Sequence, residues 1–190
     1  MQDGARPARP VDQPAKYPRP IDELTVRRAE KADCWDMARV HVGAWRAGYS
    51  GIMPTSFLDA LDENTFAEMW QQTLEDGGDA DVVVAVVEGK VVGHASFGTS
   101  RDADARAAEG ELYSLNVDPD HWGRGVGRAL LAASLAHLEG RGFGTLVLWV
   151  VSPNVRARQM YESEGWVVDG ASTEEEFEGA PVAIVRYRLA

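Results

Sequence analysis

Apolar residues recur along the chain with two periods, about two and about 3.6, and the period changes wherever glycine or proline clusters. Residues 24–28 (LTVRR) read as a short strand. Asp33 is placed to cap a helix running to about Trp45, with Met37, Val40, His41 and Ala44 at helical spacing. Gly48, Gly51 and Pro54 interrupt it, and two further helical segments follow over residues 54–61 and 65–74, the second with Phe66, Met69 and Trp70 on one side. Residues 82–87 and 90–99 form a predicted hairpin around Glu88-Gly89, followed by a polar loop over 100–109. Residues 111–117 alternate as a strand that Pro119 ends. A glycine-rich loop then opens a helix carrying Val126, Leu130, Leu131, Leu135 and Leu138 on one face. The unbroken apolar run TLVLWVV (145–151) has the composition of a strand buried on both faces. Ser152-Pro153-Asn154 reads as a helix start, with the helix running to Glu164 before Gly165. A short strand over 166–169, an acidic loop over 170–180 and a last strand over 182–189 complete the pattern.

This order of mixed elements, with 190 residues to enclose a core, describes a single α/β domain. The first 21 residues depart from it. They contain five of the nine prolines and almost no core-forming side chains, so a disordered tail is expected at 1–21 and the domain at 22–190. The tail lacks an apolar segment of signal-peptide type, and no apolar run in the chain is long enough for a membrane helix. The single cysteine, Cys34, rules out an internal disulfide framework and fits a reducing cytoplasm. A net charge of −11 argues against binding nucleic acid and suits a cationic small partner, although charge of this size also serves solubility alone. Four scattered histidines and one cysteine have no metal-ligand spacing.

The chemistry concentrates in ELYSLNVDPDHWGRGVGRALL (111–131). Glycines ahead of a helix leave backbone N–H groups bare at the positive end of its dipole, where phosphate or pyrophosphate binds well. Arg124 and Arg128 add positive charge. The pattern alone leaves a nucleotide loop or a ligand-free tight turn open. However, the Gly-Lys-Ser/Thr of a Walker loop is missing, and G-x-G-x-G differs from the dinucleotide fingerprint G-x-G-x-x-G.

With a second segment, SPNVRARQMYESEGW (152–166), the stretch resembles the GCN5-related N-acetyltransferase (GNAT) superfamily. Trp122-x-x-Gly125-x-Gly127 matches that family's Q/R-x-x-G-x-G/A motif, with Trp122 in place of the usual Gln or Arg. Asn154, Ala157, Tyr161 and Gly165-Trp166 match its asparagine-to-tyrosine helix, and the resemblance extends over residues 22–190. It implies a GNAT fold of α/β (α+β) class: a mixed, mostly antiparallel sheet flanked by helices, with a central parallel strand pair that splays apart. It also implies acetyl-CoA as co-substrate, no metal, and direct transfer of acetyl to a primary amine, with a small-molecule acceptor favoured over a peptide. A homodimer is compatible with the family. A non-catalytic acyl-CoA-binding module on the same fold is the alternative.

Carried over by position, the resemblance places Leu115, Asn116 and Val117 along the pantetheine arm. Gly123, Arg124, Gly125, Val126, Gly127 and Arg128 fall at the pyrophosphate, and Asn154 at the cofactor amides. Tyr161 becomes the proton donor to the leaving thiolate, and Glu111 the base for the incoming ammonium, directly or through water. Each has a plainer reading: a core aromatic for Tyr161, a strand-edge carboxylate for Glu111, a helix cap for Asn154. Trp45 and Tyr49 are candidates for the acceptor wall, and His41 for an acceptor contact. The acidic run Glu174–Glu176 with Glu178 is a candidate negative rim around it.

Overall fold

A computed structural model of the chain describes residues 23–189; the proline-rich segment lies outside them. Seven strands, β1 (Thr25–Arg28), β2 (Asp81–Val87), β3 (Lys90–Thr99), β4 (Glu109–Val117), β5 (Thr145–Val151), β6 (Val167–Phe177) and β7 (Ala180–Leu189), form one sheet in the order β1-β2-β3-β4-β5-β7-β6. Every neighbouring pair is antiparallel except β4 and β5. A parallel pair needs a crossover, and the helix α4 (Val126–Gly140) supplies it. The remaining helices are α1 (Cys34–Gly48), α2 (Thr55–Asp59), α3 (Glu63–Glu75) and α5 (Val155–Ser163).

The opening that makes the site follows from one register detail. β4 pairs with β5 only from Glu109↔Thr145 to Leu112↔Leu148, although both strands continue. On its other side, β3 shifts register between Ser96 and Phe97: Phe97 lies opposite Leu112 and Ser96 opposite Ser114. Tyr113 is therefore an extra residue on β4, and such a bulge bends and twists its strand. It falls directly after the last β4–β5 pair, where the two parallel strands part.

The apolar face expected on α4 is the face it buries. Val126, Leu130, Leu131 and Leu138 are inaccessible, with Leu135 partly covered, and they pack on β2, β3 and β4 side chains such as Val83, Ala95 and Leu112. Each large side chain buried this way contributes about 1.5–3 kcal/mol relative to exposure. Gly93 on β3 permits the close approach, since a Cβ there would meet Leu130 Cδ1 at 2.9 Å. On α1, Met37, Val40, His41 and Ala44 are all buried, as the spacing predicts.

Several local expectations are corrected. Asp33 precedes α1, but its carboxylate makes no cap; it accepts from Arg27 Nη1 and Nη2 at 2.7 and 2.8 Å and from the Glu30 amide. The start of α5 is capped by Asn154, which accepts from the Ala157 amide at 3.2 Å, so Ser152 and Pro153 both lie outside the helix. The acidic segment 170–180 is no loop: β6 runs through Glu174, Glu175 and Glu176 to Phe177 in register with β7, and the turn is confined to Glu178-Gly179. Hydrogen bonding to β7 outweighed the weak strand preference of consecutive glutamates.

Candidate active site

The parted strands leave two cavities. The first, about 440 Å³, lies between the end of β4, the glycine loop and the start of α5. The second, about 560 Å³, is lined by α1, residues 111–116 of β4, β5 and alternate residues of β6. They share one wall: Tyr49, Leu115, Asn116, Asn154, Ala157 and Tyr161.

Leu115, Asn116 and Val117 line the first cavity. The Asp118 amide donates to Val92 of the neighbouring chain segment, so by strand alternation the amides of Leu115 and Val117 face the side that β5 has left. The Val117 carbonyl is taken by the Trp122 indole N–H at 2.7 Å, which fixes that ring at the cavity wall.

The glycines of the loop serve different needs. Gly125 has φ +91°, a left-handed conformation that a side chain disfavours, and open space beside it. Gly127 is helical, but a Cβ there would meet Met160 Sδ at 2.9 Å, so it lets α4 approach α5. Gly123, Gly125, Val126 and Gly127 together present the first turn of α4 to the cavity. This is a cradle of bare backbone donors that fits a pyrophosphate.

The arginines depart from expectation. Arg124 does not line the cavity. Arg128 does, but its guanidinium donates to Glu164 at 2.8 Å and to Ser163 Oγ at 3.1 Å, clamping α4 to α5. The cation that the sequence reading missed is Arg156 on α5: it lines the cavity with its guanidinium 3.9 Å from the centroid of the Trp122 ring. The one available signal was Trp122 itself, an aromatic face where the family motif carries Gln or Arg.

Tyr161 is buried on α5 and faces both cavities. Burial, and after it the neighbouring Tyr49 phenol, push its hydroxyl well above the ordinary tyrosine value, so it stays protonated. Burial also raises Tyr49, against an opposing effect of the Asn154 side chain. Asn154 thus caps α5 and lies at the shared wall at once.

Glu111 is buried in the wall of the second cavity. One carboxylate oxygen accepts from the Arg101 amide at 2.8 Å and the other lies 3.3 Å from Arg101 Nη2. Trp45 and Tyr49 line this cavity too, with His41, Trp149 and Phe177. His41 is held among aromatic rings, its own ring centroid 4.0 Å from that of Phe66, and burial lowers it to about 4, so it is neutral. Neither of its ring nitrogens has a partner among the described residues. His94 lies behind it, fully buried, lowered to about 3 by burial and by His41. On β6, Thr173, Glu175 and Phe177 face the cavity; Glu174 and Glu176 do not line it, and the Glu178 carboxylate accepts from Ser56 Oγ. The predicted acidic rim is therefore one carboxylate, Glu175.

A buried ionic network stands behind the second cavity. Arg186 donates to Asp102 at 2.8 Å, Asp104 at 2.7 Å and Asp169 at 2.9 Å, which raises its pKa still further. Asp102 also accepts from Trp149 Nε1 at 2.8 Å, and Arg188 pairs with Glu109. These contacts tie the 100–108 loop, which carries Arg101, to β5 and β7.

A seven-stranded sheet parted at its one parallel pair, with a glycine cradle at the parting, is the scaffold of an acyl-CoA transferase. The sequence profile of the Acetyltransferase (GNAT) family matches residues 44–166. An uncharacterized N-acetyltransferase of Bacillus subtilis, YuaI, is 36% identical over 144 residues, 74% of this chain and 80% of the relative. The L-amino acid N-acyltransferase MnaT of Escherichia coli is 32% identical over 147 residues, 76% of this chain and 80% of that protein. The solved structure of yncA from Salmonella typhimurium, which holds acetyl-CoA, superposes with a TM-score of 0.68 at 25% identity, covering 88% of this chain and 94% of that one. The chain belongs to the GNAT family: it is an N-acetyltransferase, and acetyl-CoA is its acyl donor. Among the described residues there is no cluster of metal-ligating side chains, and no helix long and apolar enough to cross a membrane.

Proposed function

We propose that this chain transfers acetyl from acetyl-CoA directly to the primary amine of a small molecule. The observation that carries the reading is the wall common to the two cavities. A thioester entering through the first and an amine entering through the second meet at Leu115, Asn116 and Tyr161. The second cavity has the size and the mixed aromatic and polar lining of a small-molecule site. The relative MnaT, an L-amino acid N-acyltransferase, points to small amines as well.

In this reading the amides of the α4 start hold the pyrophosphate, and the outward amides of β4 pair with the pantetheine arm as an added strand would. The Leu115 amide faces the thioester carbonyl and stabilises the charge that develops on its oxygen. The amine nitrogen forms its bond to the acetyl carbon as the carbon–sulfur bond breaks. Glu111 receives the proton lost by the ammonium, directly or through water. Tyr161, kept neutral by burial, hydrogen-bonds the leaving thiolate and gives it a proton, and the second proton released by the nitrogen as the amide forms returns to the Tyr161 oxygen. No protein nucleophile is required, since Cys34 is buried in a separate cluster with Met37 and Trp70.

The test is release of free thiol from acetyl-CoA with a panel of amines, with product mass confirming N-acetylation. Tyr161→Phe should lower kcat about 10²-fold to 10⁴-fold, as loss of a general acid does, with KM for acetyl-CoA little changed. A wild-type protein that acetylates only peptide N-termini, or a phenylalanine variant with full kcat, would sink the corresponding part of the proposal.

A further inference from the structure

We infer that the acceptor is an amine bearing a carboxylate on the adjacent carbon, an α-amino acid, with Arg101 reading the carboxylate while Glu111 takes the ammonium. This rests on the acetyl-transfer reading of the same two cavities and adds the acceptor's chemical class.

The starting point is the incomplete pairing of Arg101. Its backbone amide and one terminal nitrogen face Glu111, the latter at 3.3 Å. Its other guanidinium N–H groups have no protein partner among the described residues. The side chain is 64% exposed and still held in place, its guanidinium lying 3.7 Å from the centroid of the Tyr113 ring. Tyr113 is the bulged residue of β4, so the feature that parts the strands also supplies the platform for this arginine. A guanidinium that is oriented but mostly unpaired, in a cavity wall, is a carboxylate receptor.

Charge balance selects a zwitterion. Asp102, which lines the same cavity, is already bound to Arg186 and Trp149. That leaves Arg101 and Glu111 as an adjacent positive and negative pair, with Glu175 on β6 as the remaining carboxylate of the lining. A simple amine offers only a cation and must sit beside Arg101 uncompensated. An α-amino acid presents both charges on neighbouring atoms, and each can exchange the loose Arg101–Glu111 contact for a partner of its own. Buried, neutral His41 lines the same cavity and adds no charge to this balance. Trp45, Trp149 and Phe177 then form an apolar wall for the side chain.

The experiment measures kcat/KM by thiol release for the twenty L-amino acids, their amides and their decarboxylated amines. The preferred amino acid should exceed its own amide and amine by about 10-fold to 100-fold, the value of a charge-assisted hydrogen bond. Arg101→Gln should remove that preference, so that within the variant the amino acid is used no better than its own amide or decarboxylated amine, and Arg101→Lys should restore part of it. The wild-type comparison does not depend on the variants folding. Amines or amides used as well as the free acid would overturn the inference and leave acetyl transfer intact. So would a carboxylate preference that survives Arg101→Gln. Thiol release with none of these compounds, in protein that still binds acetyl-CoA, overturns it as well; release with other amines would then keep the acetyl-transfer reading.

Discussion

The guanidinium of Arg156 lies 3.9 Å from the centroid of the Trp122 indole, at the mouth of the glycine cradle. Trp122 stands where the family motif carries Gln or Arg, so a cation from α5 lies against the position the motif would otherwise make polar. The indole is locked by its hydrogen bond to Val117, and Trp122 and Arg156 line the cavity together with Gly123, Gly125 and Gly127. Arg156→Ala should therefore raise the dissociation constant of acetyl-CoA about tenfold, the value of one charge-assisted contact, with kcat nearly unchanged. Acetyl-pantetheine, which lacks the pyrophosphate, should bind wild type and variant alike. Equal weakening toward both thioesters in calorimetry would show that Arg156 only supports the fold.

Two glycines two positions apart in the motif should respond differently to alanine. Gly125→Ala places a side chain at φ +91°, costing about 1–2 kcal/mol, which in a chain of this length lowers Tm by about 2–8 °C. Gly127→Ala pushes only against the flexible end of Met160 and gains about 1 kcal/mol of helix propensity, so its Tm should stay within about 2 °C of wild type. Scanning calorimetry of the two variants checks the order. A more destabilised Gly127→Ala would mean that the α4–α5 contact is rigid.

His41 and His94 are buried neutral, lowered to about 4 and about 3, while an unfolded histidine titrates near ~6.5. Between those values the unfolded chain binds protons that the folded chain does not, so stability falls as pH falls. The contribution is complete above about pH 6.5 and is lost progressively toward pH 4 and below, at about 1.4 kcal/mol per pH unit per histidine. Urea unfolding at pH 7, 6 and 5 should show this slope, and His94→Gln should flatten it by about half. An unchanged slope in that variant would place the proton uptake elsewhere.

Arg186 is the hub of three carboxylates and is itself buried. Arg186→Met leaves the shielded Asp102 with no cationic partner, only the Trp149 indole, and Asp169 with Arg188 alone, and should cost about 3–5 kcal/mol. Because Asp102 fastens the loop that carries Arg101, acceptor KM should rise in the variant while acetyl-CoA affinity holds. Chemical denaturation and steady-state kinetics test the two halves separately.

The pattern of apolar spacing was sufficient for most elements, including β5 to the residue and the buried face of α4, because burial on one or both faces imposes its period directly on the sequence. The Gly-x-Gly at the start of α4 was legible for a similar reason: Gly125 has a left-handed backbone that glycine meets without strain, and Gly127 sits at the close approach of α4 to α5. The acidic segment misled, since its strand exists through pairing with β7 rather than through any preference of three glutamates. Asp33 misled too, since Arg27, six residues earlier, drew its carboxylate away from the helix end.

What the sequence determined by itself was local chemistry: a strand, a loop of bare amides, a helix, and a tyrosine and a glutamate in the right order along the chain. What only tertiary structure decided was company. The single bulged residue Tyr113 parts β4 from β5 and stacks beneath Arg101; Trp122 meets Arg156 from 34 residues away; the guanidinium of Arg128, at the cavity wall, is paired with Glu164. Strand register and side-chain pairing arise from contacts distant in sequence, and no local period records them.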